Sequence, residues 1–108
     1  MSGNGATAVE VRDNPELHRF EADLSDAQAM AVYNLLTTKI MFTHTEVPEA
    51  YEGRGIGTAL IRAGLQAARE RGLKVIPTCP FFASYIQRHP EEQDLLEPAY
   101  RIVLGLDR

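Results

Sequence analysis

Between Lys39 and Pro77 the apolar period of the chain changes twice, and few folds accept the succession of elements this implies. Lys39 to Val47 alternates as a strand does and halts at Pro48. From Ile56 the spacing becomes helical: Ile56, Leu60, Ala63 and Ala67 recur on one face, flanked by Ile61, Leu65 and Ala68. Arg62, Gln66, Arg69 and Glu70 hold the opposite side. Gly72 stands where a helix end favours a left-handed residue, and Arg69 and Arg71 suit the negative end of the dipole. Leu73 to Pro77 is short and partly β-branched. A strand, a helix and a second strand with so long a crossover make a parallel pair, so a right-handed βαβ unit is expected.

The rest of the chain is read around that unit. Phe20, Ala22 and Leu24 alternate with Glu21 and Asp23 as a half-buried strand, and Leu24 to Ala27 supplies turn residues. A second strand through Met30 to Leu35 completes an antiparallel meander ahead of the crossover. Pro80 suits the first turn of a second helix with Phe82, Tyr85, Ile86 and His89 on one face, stopped by Pro90. Residues 91–108 turn from acidic to apolar and suit either a short helix or a last strand. Residues 1–8 are small and polar and are expected to form a mobile tail, leaving 9–108 as a single domain. The fold class is therefore α/β, a mixed sheet carrying two main helices, and 108 residues leave no room for a separate substrate lobe.

Charge narrows the partners. Eleven basic residues face fifteen acidic ones for a net charge of -4, and only Lys39 and Lys74 are lysines. Such a chain has no run of cations to neutralise nucleic-acid phosphates, so small molecules or proteins are the expected ligands. The lone Cys79 cannot form an intrachain disulfide, and Met1 to Glu10 lacks the basic and apolar regions of a signal peptide, which points to a reducing, cytoplasmic setting. No apolar run reaches the ~18 residues that span a bilayer. The sequence does not define an oligomeric state.

Glu52-Gly-Arg-Gly-Ile-Gly-Thr58 places three glycines at alternate positions where strand gives way to helix. Glycine lets backbone N–H groups approach a ligand closely, and the first amides of a helix point outward at its positive end, together a site for a pyrophosphate. Arg54 adds a charged contact. The P-loop pattern is absent because no Gly-Lys-Ser/Thr follows. The dinucleotide pattern fails too: Thr58 and Leu60 stand where a third glycine belongs. By spacing alone, a turn that only packs a helix tightly on a sheet remains an equal reading.

His44-Thr-Glu-Val-Pro48, Gly53-Arg-Gly-Ile-Gly57, Val75-Ile-Pro-Thr-Cys-Pro80 and His89-Pro90, in that order, resemble the minimal one-domain GNAT-type N-acetyltransferases from about Phe20 to His89. The resemblance implies a GNAT-like fold that binds acetyl-CoA and transfers its acetyl group to an amine. It implies that the strands ending at Val47 and near Thr78 splay apart and admit the pantetheine arm. Val47 would lend backbone hydrogen bonds to that arm, while Gly53, Arg54, Gly55, Ile56, Gly57 and Thr58 would hold the pyrophosphate. The helix from Pro80 would flank the thioester. The superfamily's phosphate loop opens on Gln or Arg, whereas this chain has Glu52, so the first-position contact is not carried over and Arg54 takes its place.

Three residues are candidates for the chemistry. Cys79, just before a helix, feels the positive end of a dipole that favours the thiolate, and is expected to be accessible and shielded by acetyl-CoA. It suits an acetyl relay or the wall of the thioester pocket, and a small buried residue fits equally. His44 and Glu46 alternate on one strand, roughly 7 Å apart along the chain, and so are expected to share a face with Ile40 and Phe42. Either can take a proton from an amine, directly or through water; a solvated edge pair is the plainer reading. Tyr85 suits protonation of the leaving thiolate but fits better as core with Phe82 and Ile86. No His or Cys pair has metal-ligand spacing, so no metal is expected. The rival to an acetyltransferase is a CoA-binding or protein-interaction module without turnover.

Overall fold

A computed structural model describes residues 9–106, so the expected tail at 1–8 lies outside the described residues. Five strands form one sheet in chain order: β1 (Val11–Asn14), β2 (Arg19–Asp23), β3 (Gln28–Leu35), β4 (Lys39–Glu46) and β5 (Lys74–Pro77). The first four run antiparallel and β5 lies parallel to β4. The parallel pair is joined by α1 (Ile56–Arg71), which ends on Gly72 in the left-handed conformation, φ 67°. The helix α2 (Pro80–Arg88) follows β5 with Pro80 in its first turn. The expected meander, crossover and second helix are all present.

One segment adds to the sequence reading, and another is decided between the two alternatives it offered. β1 has a single clearly apolar residue, Val11, and carries little periodic signal; its pairing with β2 supplies the order. The C-terminal segment is mainly helical, a 3-10 helix at Pro90–Leu95 and then α3 (Pro98–Val103), with one strand-like contact where Leu96 bridges Val75.

Both main helices pack on the sheet face that carries Phe42. Ala22, Ala29 and Ala31 are fully buried there beside Leu60, Leu65 and Ala68 of α1. Alanines keep that surface low, which lets the helix come close. Gly64 faces the ring of Phe42 so tightly that an added Cβ would lie 2.8 Å from it. That ring is in turn stacked on Phe82 of α2, with centroids 4.0 Å apart.

The opposite face holds a buried carboxylate. Glu21 is 1% exposed and accepts hydrogen bonds from Arg19 (2.6 Å), Arg12 (2.8 Å) and Asn14 (3.0 Å). The Arg19 hydrogen bond, followed by the Asn14 bond and the arginine charges, holds its carboxyl below the usual range against the opposing effect of burial.

A bulge in β4 corrects one expectation. Tyr33 lies opposite Phe42 but Val32 lies opposite His44, so Thr43 is an extra residue. Opposed residues share a sheet face. Phe42 therefore goes with buried Tyr33, whereas His44 and Glu46 go with Val32 and Met30 on the other face. His44 and Glu46 do not share the face of Ile40 and Phe42; Thr45, opposite Ala31, takes the helix-covered side instead.

Candidate functional site

β4 and β5 part company near their C-terminal ends. Their last pair is Phe42 with Pro77, after which β4 continues through Glu46 with no partner on that side. Beyond Pro77 the chain is tied back to a single carbonyl: the Cys79 amide (2.9 Å) and the Thr78 hydroxyl (3.0 Å) both donate to the oxygen of Phe42. It then turns into α2. The parallel pairing thus ends four residues short of the end of β4, while Thr78 and Cys79 stay against it.

A cavity of about 680 Å³, in the range of small-molecule sites, lies beside the end of β4. Thr45, Glu46 and Val47 form one wall, and Tyr51 and Glu52 a second. Gly53 and Gly55 to Thr58 line the entry to α1, and Phe81 closes the side toward α2. Gly55 caps α1 in the left-handed conformation, φ 81°, and no side chain caps the helix. The first helical bond is from the Ala59 amide to the Gly55 carbonyl. The amides from Gly53 to Thr58 accordingly have no hydrogen-bond acceptor among the described residues. They are donors grouped at the positive end of a helix of 16 residues. Gly57 lies close under Phe81: a Cβ there would lie 2.9 Å from that exposed ring, which would have to swing aside.

Most of the sequence-derived candidates meet here. Val47, Gly53, Gly55, Ile56, Gly57, Thr58 and Glu46 line the cavity. Arg54 stands beside it, its guanidinium carbon 5.1 Å from the centre of the Tyr51 ring. Glu52 does line the cavity, as an exposed carboxylate. His44 is exposed and lies outside the lining.

Cys79 departs from the expectation of an accessible thiol. It is 4% exposed, and its sulfur lies 3.3 Å from the hydroxyl of Thr45, a cavity-lining residue. The reason is its anchored amide, which draws the N-terminus of α2 against β4. Tyr85 is buried and stacked on His89, with centroids 3.9 Å apart, in keeping with its reading as core.

The structure adds residues that periodicity did not single out. Phe81 is 54% exposed, next to the apolar stripe of α2 but not on it; an aromatic off the stripe beside a glycine motif is the signal that would have found it. Tyr51 and Thr45 carry no such mark. Among the described residues, no group of three or more His, Cys, Asp or Glu is placed to hold a metal ion, and no helix is long and apolar enough to cross a membrane.

Comparison with known proteins agrees with this geometry. Residues 19–95 match the GCN5-related N-acetyl-transferase family. Protein NATD1 of Gallus gallus is 32% identical over 90 residues, 81% of this chain and 82% of that protein. Protein NATD1 of Homo sapiens is 38% identical over 69 residues, covering 63% and 61% respectively. The solution structure of a GCN5-like protein from Staphylococcus aureus superposes with a TM-score of 0.65 at 27% identity, covering 82% of this chain and 87% of that one. The family match runs unbroken from β2 through α2, across the unpaired end of β4 and the open amides, and on that ground the chain belongs to the GCN5-related N-acetyltransferase family.

Proposed function

We propose that this protein is an acetyl-CoA-dependent N-acetyltransferase that moves acetyl to the amine of a small-molecule or protein acceptor. The observation that carries this reading is the run of unpaired amides from Gly53 to Thr58 on a cavity that opens beside an unpartnered strand end. Those amides suit the CoA pyrophosphate, with the α1 dipole favouring its charge and Arg54 in reserve beside it. The pantetheine arm then follows the free edge of β4 past Val47 toward the N-terminus of α2.

In this mechanism the amine nitrogen attacks the thioester carbonyl. An N–C bond forms, the C–S bond breaks, and CoA leaves as a thiolate that takes up a proton. Glu46 accepts the proton the amine loses, directly or through water, because its position combines cavity lining with exposure to solvent. His44, on the same sheet face, assists by orienting that water. Direct attack is favoured over an acetyl relay through Cys79, whose sulfur sits behind Thr45.

Calorimetry with CoA and acetyl-CoA tests the cofactor, and release of CoA in the presence of mixed amines tests turnover. Ligand at 100 times its Kd stabilises the fold by about 2.7 kcal/mol, so the melting temperature rises with CoA. Gly57→Glu, which puts a carboxylate at the open amides and crowds Phe81, abolishes both effects. No CoA binding by the natural sequence overturns the reading, and binding without turnover with any amine leaves the CoA-binding module.

A further inference from the structure

We propose that Tyr51 is a positioning residue: its hydroxyl, held by Ser25 and Asp26, and its ring, lying under Arg54, fix the glycine loop and its arginine before the phosphates arrive. This rests on the reading of Gly53 to Thr58 as a pyrophosphate site.

The loop needs such a tie. Gly53 and Gly55 both have φ above 80°, and glycine segments lose the most backbone freedom when ordered. The backbone bonds of this stretch are local, from the Tyr51 amide to Pro48 (2.8 Å) and from the Glu52 amide to Glu49 (3.2 Å). At its far end the loop is held by α1, whose Ala59 amide donates to the Gly55 carbonyl; at its near end, among the described residues, the side-chain tie to the sheet is the Tyr51 hydroxyl. It donates to Asp26 Oδ1 at 2.6 Å, and since its one proton is used there, the Ser25 hydroxyl, at 2.7 Å, is the donor to the tyrosine oxygen. Both partners lie in the turn between β2 and β3, which is itself closed by the Leu24 amide on the Ala27 carbonyl at 2.9 Å. A bond to a carboxylate is stronger than one between neutral groups, so the anchor is firm although it is exposed.

The ring does the second part. A guanidinium within about 6 Å of an aromatic centroid is attracted to its face, and Arg54 lies 5.1 Å away. Among the described residues Arg54 forms no ion pair, while Arg12, Arg19, Arg69 and Arg71 each have a carboxylate. Its charge is thus oriented without being neutralised and stays available to an anion. Ordering loop and arginine beforehand removes an entropy cost from binding.

The test uses the whole chain and three variants: Tyr51→Phe, which keeps the ring and removes the anchor, Asp26→Ala, and Arg54→Ala, alone and combined with Tyr51→Phe. Calorimetry reads CoA against pantetheine, which lacks the phosphates, and backbone NMR relaxation reads the order of residues 53–57 without ligand. Tyr51→Phe and Asp26→Ala each weaken CoA roughly 3- to 10-fold, about 0.7 to 1.4 kcal/mol, and leave pantetheine unchanged. Order parameters at 53–57 fall in both, and Tyr51→Phe adds little once Arg54 is alanine. Equal weakening of CoA and pantetheine, additive effects, or unchanged loop order overturns the proposal. If the natural sequence binds neither ligand, the site reading fails by itself, and the relaxation data still decide whether Tyr51 orders the loop.

Discussion

Cys79 and Glu46 show what a single residue's neighbours decide. A free cysteine before a helix suggests a reactive group, but the anchored amide of Cys79 and the Thr45 hydroxyl bury its sulfur. A maleimide is therefore expected to label the native protein far more slowly than the urea-unfolded chain; equal rates would contradict the burial. Glu46, singled out with His44 as an alternating pair at the end of a strand, does line the cavity. The face on which it and His44 lie was not legible, because a strand's period is read from the chain alone while a bulge belongs to the pairing with β3. Arg54 is intermediate: its charge was visible in the sequence, its platform on Tyr51 was not.

At the scale of elements, α1 and β4 meet through Gly64 and Phe42. Gly64→Ala improves helix propensity by about 1 kcal/mol, yet its methyl would lie 2.8 Å from the buried Phe42 ring and 3.4 Å from the Phe82 ring stacked on it. Overpacking of this kind costs about 1–3 kcal/mol, so the variant is expected to be less stable than the natural protein by urea denaturation. A higher midpoint would mean that the Phe42 and Phe82 stack can move aside. The long elements were legible because α1 repeats its apolar period several times, β4 alternates up to its bulge, and turn residues mark off β2 and β3. β1 was not, since its four residues are ordered by pairing with β2 rather than by burial of their own side chains. The segment after Pro90 mixes 3-10 helix, a bridge and α3 within a few residues, too short for any period to establish itself.

Across the whole molecule, ionisation brackets stability from both sides. Glu21 has its carboxyl lowered chiefly by the Arg19 hydrogen bond, and Asp94 by that of Arg69. Each contributes stability that is complete above the ordinary carboxylate range near pH 4.5 and lost as pH falls through the folded value. Tyr33 acts at the other end: burial first, then its bond to Asp13, pushes its hydroxyl up to about 12. The unfolded tyrosine ionises near pH 10, so stability is expected to decline between about 10 and 12. Chemical denaturation across pH should show a plateau between these limits. Glu21→Gln should lower the plateau and flatten its acid limb, and Tyr33→Phe should flatten the alkaline one; limbs that keep their slopes would assign the pH dependence to other groups. The chain also has something like a reading frame within β4. Up to Phe42 even-numbered positions face the helices, and after Thr43 odd-numbered ones do. Deleting that one threonine would leave the frame after it intact, whereas keeping it and pairing it regularly with Val32 would slip the strand's end by one residue, turning the carboxylate of Glu46 toward the alanine-lined core and the hydroxyl of Thr45 to the open face.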